Sequence, residues 1–265
     1  MASNPYAGIE KGAPGTVGWR IHYFDEVAST QRVAAEMAAA GAAQGTVVIA
    51  ETQTAGRGRL GRSWHSPPGL NLYATIILRP QRPIAEVPRL SLVAGIAAAE
   101  ALATAAPGMV ALKWPNDVWL NGRKAGGIIA EAITDARQRL ACVLLGIGLN
   151  LNLASADLPE DLSAKATSVR IATGRRCDRI AIAAALFNRL DSRYTENEAE
   201  GFAAVQGEYE RYFALTGKPV TVIDGGARLS GRVTGIDAEG ALILETASGS
   251  RRVMAGEVSV EGAYA

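Results

Sequence analysis

Apolar and polar positions divide the chain into two stretches of different character. An opening segment punctuated by Pro5, Pro14 and several glycines predicts a flexible, irregular tail over residues 1–18. Alternation then begins with "WRIHYF" (Trp19 to Phe24), a strand. Ser29 is a suitable helix N-cap, Val33, Met37 and Ala40 recur on one helical face, and Gly41 ends that element. "TVVIAE" (Thr46 to Glu51) and "NLYATIILR" (Asn71 to Arg79) have the composition of buried strands. Pro88 opens a helix that is apolar nearly all round until Pro107 and Gly108 stop it, so it is expected inside the core.

"VALKW", "DVWL" and "RKAGGIIAEAI" follow, and Asn121-Gly122 between the last two predicts a type I′ hairpin, because both residues tolerate positive φ. "RLACVLLGIGLNLNL" (Arg139 to Leu153) predicts a long buried strand. A helix is expected from Asp178 to about Phe213, with Ile180, Phe187, Leu190 and Tyr194 at mostly helical spacing. From Pro219 onward the runs shorten to "PVTVID", "ARLSGRVTGI", "ALILET", "RRVMA" and "EVSVE", separated by Asp- and Gly-rich turns. The order of elements predicts an α/β (α+β) domain over residues 19–215 and a small antiparallel β module over residues 216–265.

Composition narrows the function classes. With 265 residues, 48% hydrophobic and 20% charged, the chain has room for a sizeable core, and a net charge of +1 does not imply wholesale nucleic-acid binding. Cys142, Cys177, His22 and His65 are too few and too scattered for a disulfide framework or a zinc site. The first residues lack a secretory signal, and Glu100 interrupts the apolar run that comes nearest to membrane length, so a cytoplasmic protein with no membrane span is expected.

Local chemistry concentrates in "GRGRLGRSW" (Gly56 to Trp64), where Gly56, Gly58 and Gly61 are spaced as in a dinucleotide-binding fingerprint. That fingerprint needs a helix directly after its glycines, and Pro67-Pro68-Gly69 forbids one. A Walker loop is absent too, since neither Lys124 nor Lys218 follows the required glycines. What remains is a loop whose glycines let the backbone approach a ligand while Arg57, Arg59 and Arg62 supply cationic forks, a pairing suited to phosphate or carboxylate. Trp64 could stack on a nucleobase or simply seal the core.

A second cluster lies in "KWPNDVWLNGRK" (Lys113 to Lys124), where the hairpin brings Asp117 and Lys124 onto one ladder beside Asn116. Such a pair is either a surface ion pair or part of a site; charge within apolar runs favours the second. Asn150, inside "GIGLNLNL", is either a satisfied core polar group or a base-reading amide.

Together, "STQ" (Ser29 to Gln31), "AETQTAGRGRLGRSW" (Ala50 to Trp64), "KWPNDVWLNGRKAGGIIAE" (Lys113 to Glu131) and "GIGLNLN" (Gly146 to Asn152) resemble biotin protein ligase, in the family's order from about Phe24 to Val260. The resemblance implies a class II synthetase-like catalytic domain, a mixed sheet with flanking helices, and an SH3-like C-terminal barrel. Because few residues precede the first strand, it further implies the class without an N-terminal DNA-binding domain. The implied reaction joins biotin to ATP as biotinyl-5′-AMP with release of pyrophosphate, helped by Mg²⁺, and passes biotin to a lysine of a biotin carboxyl carrier protein domain, as in acetyl-CoA carboxylase. Ser29, Thr30, Gln31, Gln53, Arg57, Gly58, Arg59, Lys124 and Gly127 match biotin-binding positions. Arg57, Arg59, Arg62, Trp64, Asn116 and Asn150 match ATP- or adenylate-binding ones, and Lys124, Asp117 and Arg57 the catalytic set. Gln31 departs from the family's usual Asn.

Three other readings are set against it. A lipoate or octanoate protein ligase shares the architecture, but its pocket would be apolar at the ring end. A nucleic-acid-binding module would need more clustered aromatics and charge. A hydrolase built on His65 lacks an evident orienting acid. An exposed sheet edge would let two copies pair, or let the chain pair with its acceptor.

Overall fold

The computed structural model describes residues 4–10 and 17–260. Seven strands, β1 (Arg20–Val27), β2 (Thr46–Gln53), β3 (Leu72–Leu78), β4 (Val110–Lys113), β5 (Asp117–Leu120), β6 (Arg123–Thr134) and β7 (Leu140–Leu149), form one sheet in the order β1-β2-β3-β7-β6-β5-β4. β1 and β2 run parallel and the other neighbours antiparallel, so the sheet is mixed. The parallel pair needs a crossover, which α1 (Thr30–Ala39) supplies. Ser29, extended at φ −159°, caps that helix by accepting from the Gln31 N–H. Ala40 is exposed, contrary to the expected apolar face, which is centred instead on Ala34 with Val33 and Met37 beside it.

Residue alternation gives the sheet two unlike faces. Val47, Ile49, Leu72, Ala74, Ile76, Ile128, Leu145 and Ile147 point into the main core against α2 (Arg89–Ala103) and α5 (Arg179–Glu200). As expected, α2 is buried on nearly every side. Its one acidic residue, Glu100, meets Arg193 of α5 at 2.6 Å, which compensates the charge. The other face is only half covered: Ala34 of α1 packs on Val48, Ile77, Cys142 and Leu144, and the rest is left open.

Between the sheets lie two short helices, α3 (Glu160–Ser163) and α4 (Val169–Thr173), and then the helical region expected to be continuous from Asp178. It is not continuous: α5 stops at Gly201, whose φ of +85° breaks the helical path, and α6 (Gln206–Tyr212) follows after a 3-10 turn. Phe187, Leu190 and Tyr194 are buried as expected, whereas Ile180, in the exposed first turn, is 40% exposed.

Five antiparallel strands then form a second sheet in the order β11-β10-β9-β8-β12: β8 (Pro219–Asp224), β9 (Ala227–Ile236), β10 (Leu242–Thr246), β11 (Gly249–Val253) and β12 (Glu257–Val260). Its apolar side, with Val220, Val222, Val233, Leu242, Leu244 and Val258, joins the main core. Trp114, 1% exposed, bridges the two parts by donating from Nε1 to the Gly240 carbonyl at 3.0 Å.

One expectation is corrected at the N-terminus. Of the residues read as a flexible tail, 4–10 are docked: Tyr6 is 1% exposed with its ring 6.0 Å from that of Tyr23, and Asn4 Nδ2 donates to the Ile21 carbonyl. An aromatic side chain seals the sheet there, a signal hidden by the surrounding Pro and Gly. Residues 1–3 and 11–16 of that tail, and 261–265 of the C-terminal module, lie outside the described residues.

Removing the bridging indole should cost about 3–5 kcal/mol, the usual range for emptying a site of this size. Urea unfolding of Trp114→Ala against the unchanged protein measures it, and a loss below about 1 kcal/mol would contradict the bridging role.

Candidate active site

The uncovered half of the sheet is open because side chains are missing from it. Gly127 of β6 pairs with Gly148 of β7, and Gly146 lies two residues from Gly148 on the same face. Tyr73 and Thr75 of β3 complete this floor opposite Gly148 and Gly146. The resulting open cleft is lined by Ser29, Thr30, Gln31, Gln53, Arg57, Gly58, Arg59, Trp64, Asn116, Lys124 and Gly127 among the residues expected in the site. Arg62, Asp117 and Asn150 do not line it.

One end of the cleft carries uncharged hydrogen-bonding groups. Thr30 donates through its backbone N–H and lies 3.2 Å from Gln53 Oε1 through its hydroxyl. Gln53 Nε2 donates to Ser66 Oγ at 3.0 Å. Thr30 Oγ1 meets Thr75 Oγ1 at 2.8 Å, and Thr75 Oγ1 donates to Gln31 Oε1 at 3.0 Å. These side chains orient one another before any ligand arrives, which lowers the entropy cost of binding.

The glycine-arginine loop folds as a tight hairpin. Trp64 N–H donates to Gly56 O, Gly58 N–H to Arg62 O, and Arg57 pairs with Ser63. Gly56 has no room for a Cβ, which would stand 2.6 Å from Trp64 O, and Gly61 takes φ +74°. No helix follows, so the fingerprint is spacing without its structure. Arg59 Nη1 donates to Asn116 Oδ1 at 2.8 Å and Nη2 to Gly256 O at 3.4 Å.

Arg62 lies outside the cleft lining. Its Nη2 donates to Glu257 Oε2 at 2.6 Å, tying the loop to β12 rather than reaching the cleft. Trp64 lays its ring over the glycine floor, where a Cβ on Gly148 would stand 2.8 Å from it and one on Gly127 3.1 Å. The indole Nε1 is buried without a hydrogen-bond partner.

On the β5–β6 hairpin, Asn121 and Gly122 take φ +48° and +77°, as a type I′ turn requires. A bulge follows: Trp119 faces Lys124, but Val118 faces Gly126, leaving Ala125 extra. Lys124 thus lies diagonal to Asp117 on one face, and its Nζ approaches Asp117 Oδ1 to 2.6 Å and the Trp64 ring centroid to 5.6 Å. Burial pushes the neighbouring Lys113 ammonium below the usual lysine value, and its Nζ lies 5.4 Å from the Trp119 ring.

Asn150 is also corrected. β7 ends at Leu149, so the amide is not strand-interior, and its Nδ2 donates to the Thr167 carbonyl at 3.0 Å. It holds the segment that pairs with β6 at Lys124. Residues missed in the sequence are Tyr73, Thr75, Gly146, Gly148, Glu131 and Glu257. Gly146 and Gly148 alternate within an apolar strand, a spacing that could have marked a close approach; nothing local marks the others.

Residues 23–150 match the Biotin/lipoate A/B protein ligase family, and residues 215–260 the biotin protein ligase C-terminal domain. The bifunctional ligase/repressor BirA of Bacillus spizizenii is 35% identical over 92% of this chain and 75% of its own length. The biotin-[acetyl-CoA-carboxylase] ligase of Mycobacterium tuberculosis is 35% identical over 91% of this chain and 89% of its own. The chain belongs to the biotin protein ligase family. Its fold agrees: the biotin protein ligase of Aquifex aeolicus, solved in complex with biotin and ATP, has a TM-score of 0.80 at 28% identity, covering 91% of this chain and 98% of that one.

In this family member the Arg62–Glu257 link makes a pH-dependent prediction. The hydrogen bond from Arg62 holds the Glu257 carboxyl below the usual glutamate value. A depressed folded-state value stabilises above the unfolded one and is lost as pH falls through the folded value. Glu257→Gln should therefore be less stable at pH 7 by up to about 1 kcal/mol, a partly exposed pair being screened by water. That difference should vanish in thermal melts taken progressively below about pH 4.5. Separately, Gly148→Ala should displace the Trp64 ring and cost about 1–3 kcal/mol by overpacking, seen in urea unfolding and a crystal structure of the variant.

Proposed function

We propose that this chain activates biotin with ATP to biotinyl-5′-AMP, releasing pyrophosphate, and then transfers biotin to a lysine of a biotin carboxyl carrier protein domain. The carrying observation is the division of one cleft into a neutral, pre-oriented hydrogen-bonding end and a cationic end across a glycine floor. An acetyl-CoA carboxylase is the fitting acceptor, by the name of the M. tuberculosis relative. The working unit comprises a catalytic domain over residues 19–215 and a C-terminal domain over residues 216–265, in the cytoplasm, where ATP and carboxylases meet.

In the first step two anions must approach each other, and Arg57, Arg59 and Lys124 lower that repulsion while the Gly58 backbone comes close to the bound acid. Ser29, Thr30, Gln31 and Gln53 surround the ureido ring, which offers both donors and an acceptor; a lipoyl ring offers neither, and gains nothing from this end of the cleft. Trp64 presents its ring to the adenylate, and Asn116 aligns Arg59. Mg²⁺ enters with the nucleotide phosphates: among the described residues no three His, Cys, Asp or Glu gather into a metal cage, and phosphate-borne Mg²⁺ needs none.

In the second step the acceptor amine attacks the acyl carbon and AMP leaves. Asp117, 2.6 Å from Lys124 Nζ, is the carboxylate able to orient or accept the amine's proton. The amine's lone pair forms the amide bond as the acyl–phosphate bond breaks, and the released AMP keeps that electron pair.

Pyrophosphate exchange driven by biotin and by lipoate tests the reading; exchange with lipoate alone would overturn it. Lys124→Ala should slow biotin-dependent exchange by about 10²–10³-fold, as loss of one charge-stabilising group does. Asp117→Ala should slow transfer to the carrier domain by about 10²-fold or more while changing exchange far less. Equal loss of both half-reactions in each variant would refute these roles.

A further inference from the structure

The cations around the cleft are already engaged. Lys124 is paired with Asp117, Arg62 with Glu257, and Arg57 Nη2 lies 3.3 Å from Glu131 Oε1. Arg59, by contrast, donates to neutral oxygens. A substrate carboxylate therefore meets guanidinium groups that are not equally free, and Arg57 is the guanidinium lining the cleft that rests against a carboxylate.

The two members of that pair are held unequally. Glu131 extends from β6, and its second oxygen accepts from Gln31 Nε2 at 3.2 Å. Gln31 is only 5% exposed, also donates to the Leu144 carbonyl at 3.2 Å, and accepts from Thr75. A Cβ on Gly146 would stand 2.7 Å from Gln31 Oε1, so this glycine is what admits the amide. Glu131 is anchored from inside, whereas Arg57 rides on the loop with 59% of its side chain exposed against 34% for Glu131.

We infer that Glu131 is a positioning residue for Arg57. Its carboxylate parks the guanidinium at the cleft mouth, and the carboxylate of the incoming acid displaces it, one carboxylate exchanging for another. Gln31 compensates the step, because Glu131 keeps a hydrogen bond from the buried amide after the guanidinium leaves. The exchange costs little: a partly exposed ion pair is worth at most about 1 kcal/mol, so Glu131 weakens acid binding by no more than about fivefold. Arg57 is thereby paired in the unloaded cleft without closing it to substrate. This inference rests on the biotin reading of the cleft.

Binding of biotin and of its neutral carboxamide to the whole chain, measured by calorimetry, tests it. Glu131→Gln retains an acceptor for Gln31 but removes the charge. It should tighten biotin by about two- to fivefold and leave the carboxamide unchanged, and Glu131→Ala should act in the same direction. On an Arg57→Ala background the tightening should disappear. Biotin binding that is unchanged or weaker, equal shifts for both ligands, or tightening that persists without Arg57 would each overturn the inference. If the unaltered protein binds biotin more tightly than the carboxamide and the variants change neither, Glu131 alone is misassigned. If it binds neither, the substrate reading fails first, and this inference with it.

Discussion

Three missing side chains on one face of the central sheet create the cleft on which the rest of the site depends. Gly127, Gly146 and Gly148 leave the β6–β7 backbone bare, and the space they vacate is shared by the Trp64 ring and the Gln31 amide. The same strands turn Ile128, Ile147 and Leu149 to the opposite face, deep in the main core. A floor of that kind is rigid because its reverse side is packed, and open because its obverse has nothing to pack.

Groups that act on the ligand then approach from three directions. The start of α1 and the end of β2 bring neutral donors and acceptors that are already bonded to one another, while two hairpins bring the charge. Rigid elements thus hold the part that recognises shape, and turns hold the cations that must follow a changing distribution of negative charge. Each turn is itself restrained: the bulge at Ala125 sets the direction of Lys124, and Arg62 and Arg59 bind the glycine-arginine loop to β12 and Gly256.

Those last contacts give the C-terminal sheet a part in the site. Trp114 and Gly240 join the modules in the core, and Glu257 joins them at the cleft's rim, so displacement of the small sheet would disturb the loop without touching the floor. The charge pattern has the same economy. Most cations near the cleft rest against carboxylates, which keeps the empty site close to neutral.

Much of this was legible along the chain. Alternation and punctuation located nearly all the strands, the buried helix α2 and the type I′ turn at Asn121-Gly122, because these follow from local sterics and from burial periods of two and 3.6 residues. The arginine loop and the Asp117–Lys124 pair were legible for the same reason: their chemistry is contiguous or lies across one hairpin. Tyr6, hidden among Pro and Gly, and the break at Gly201 were not, since docking of a short segment and interruption of a helix are settled by neighbours far away in sequence. The site divides in the same way. Residue order determined which chemical groups the chain possesses, but only the fold decided that Arg62 would serve Glu257, that Asn150 would hold Thr167, and that Gln31 would reach Glu131. Each of those choices joins residues at least 17 positions apart, and a hydrogen bond of that span exists only once the sheet has set the two ends within about 3 Å.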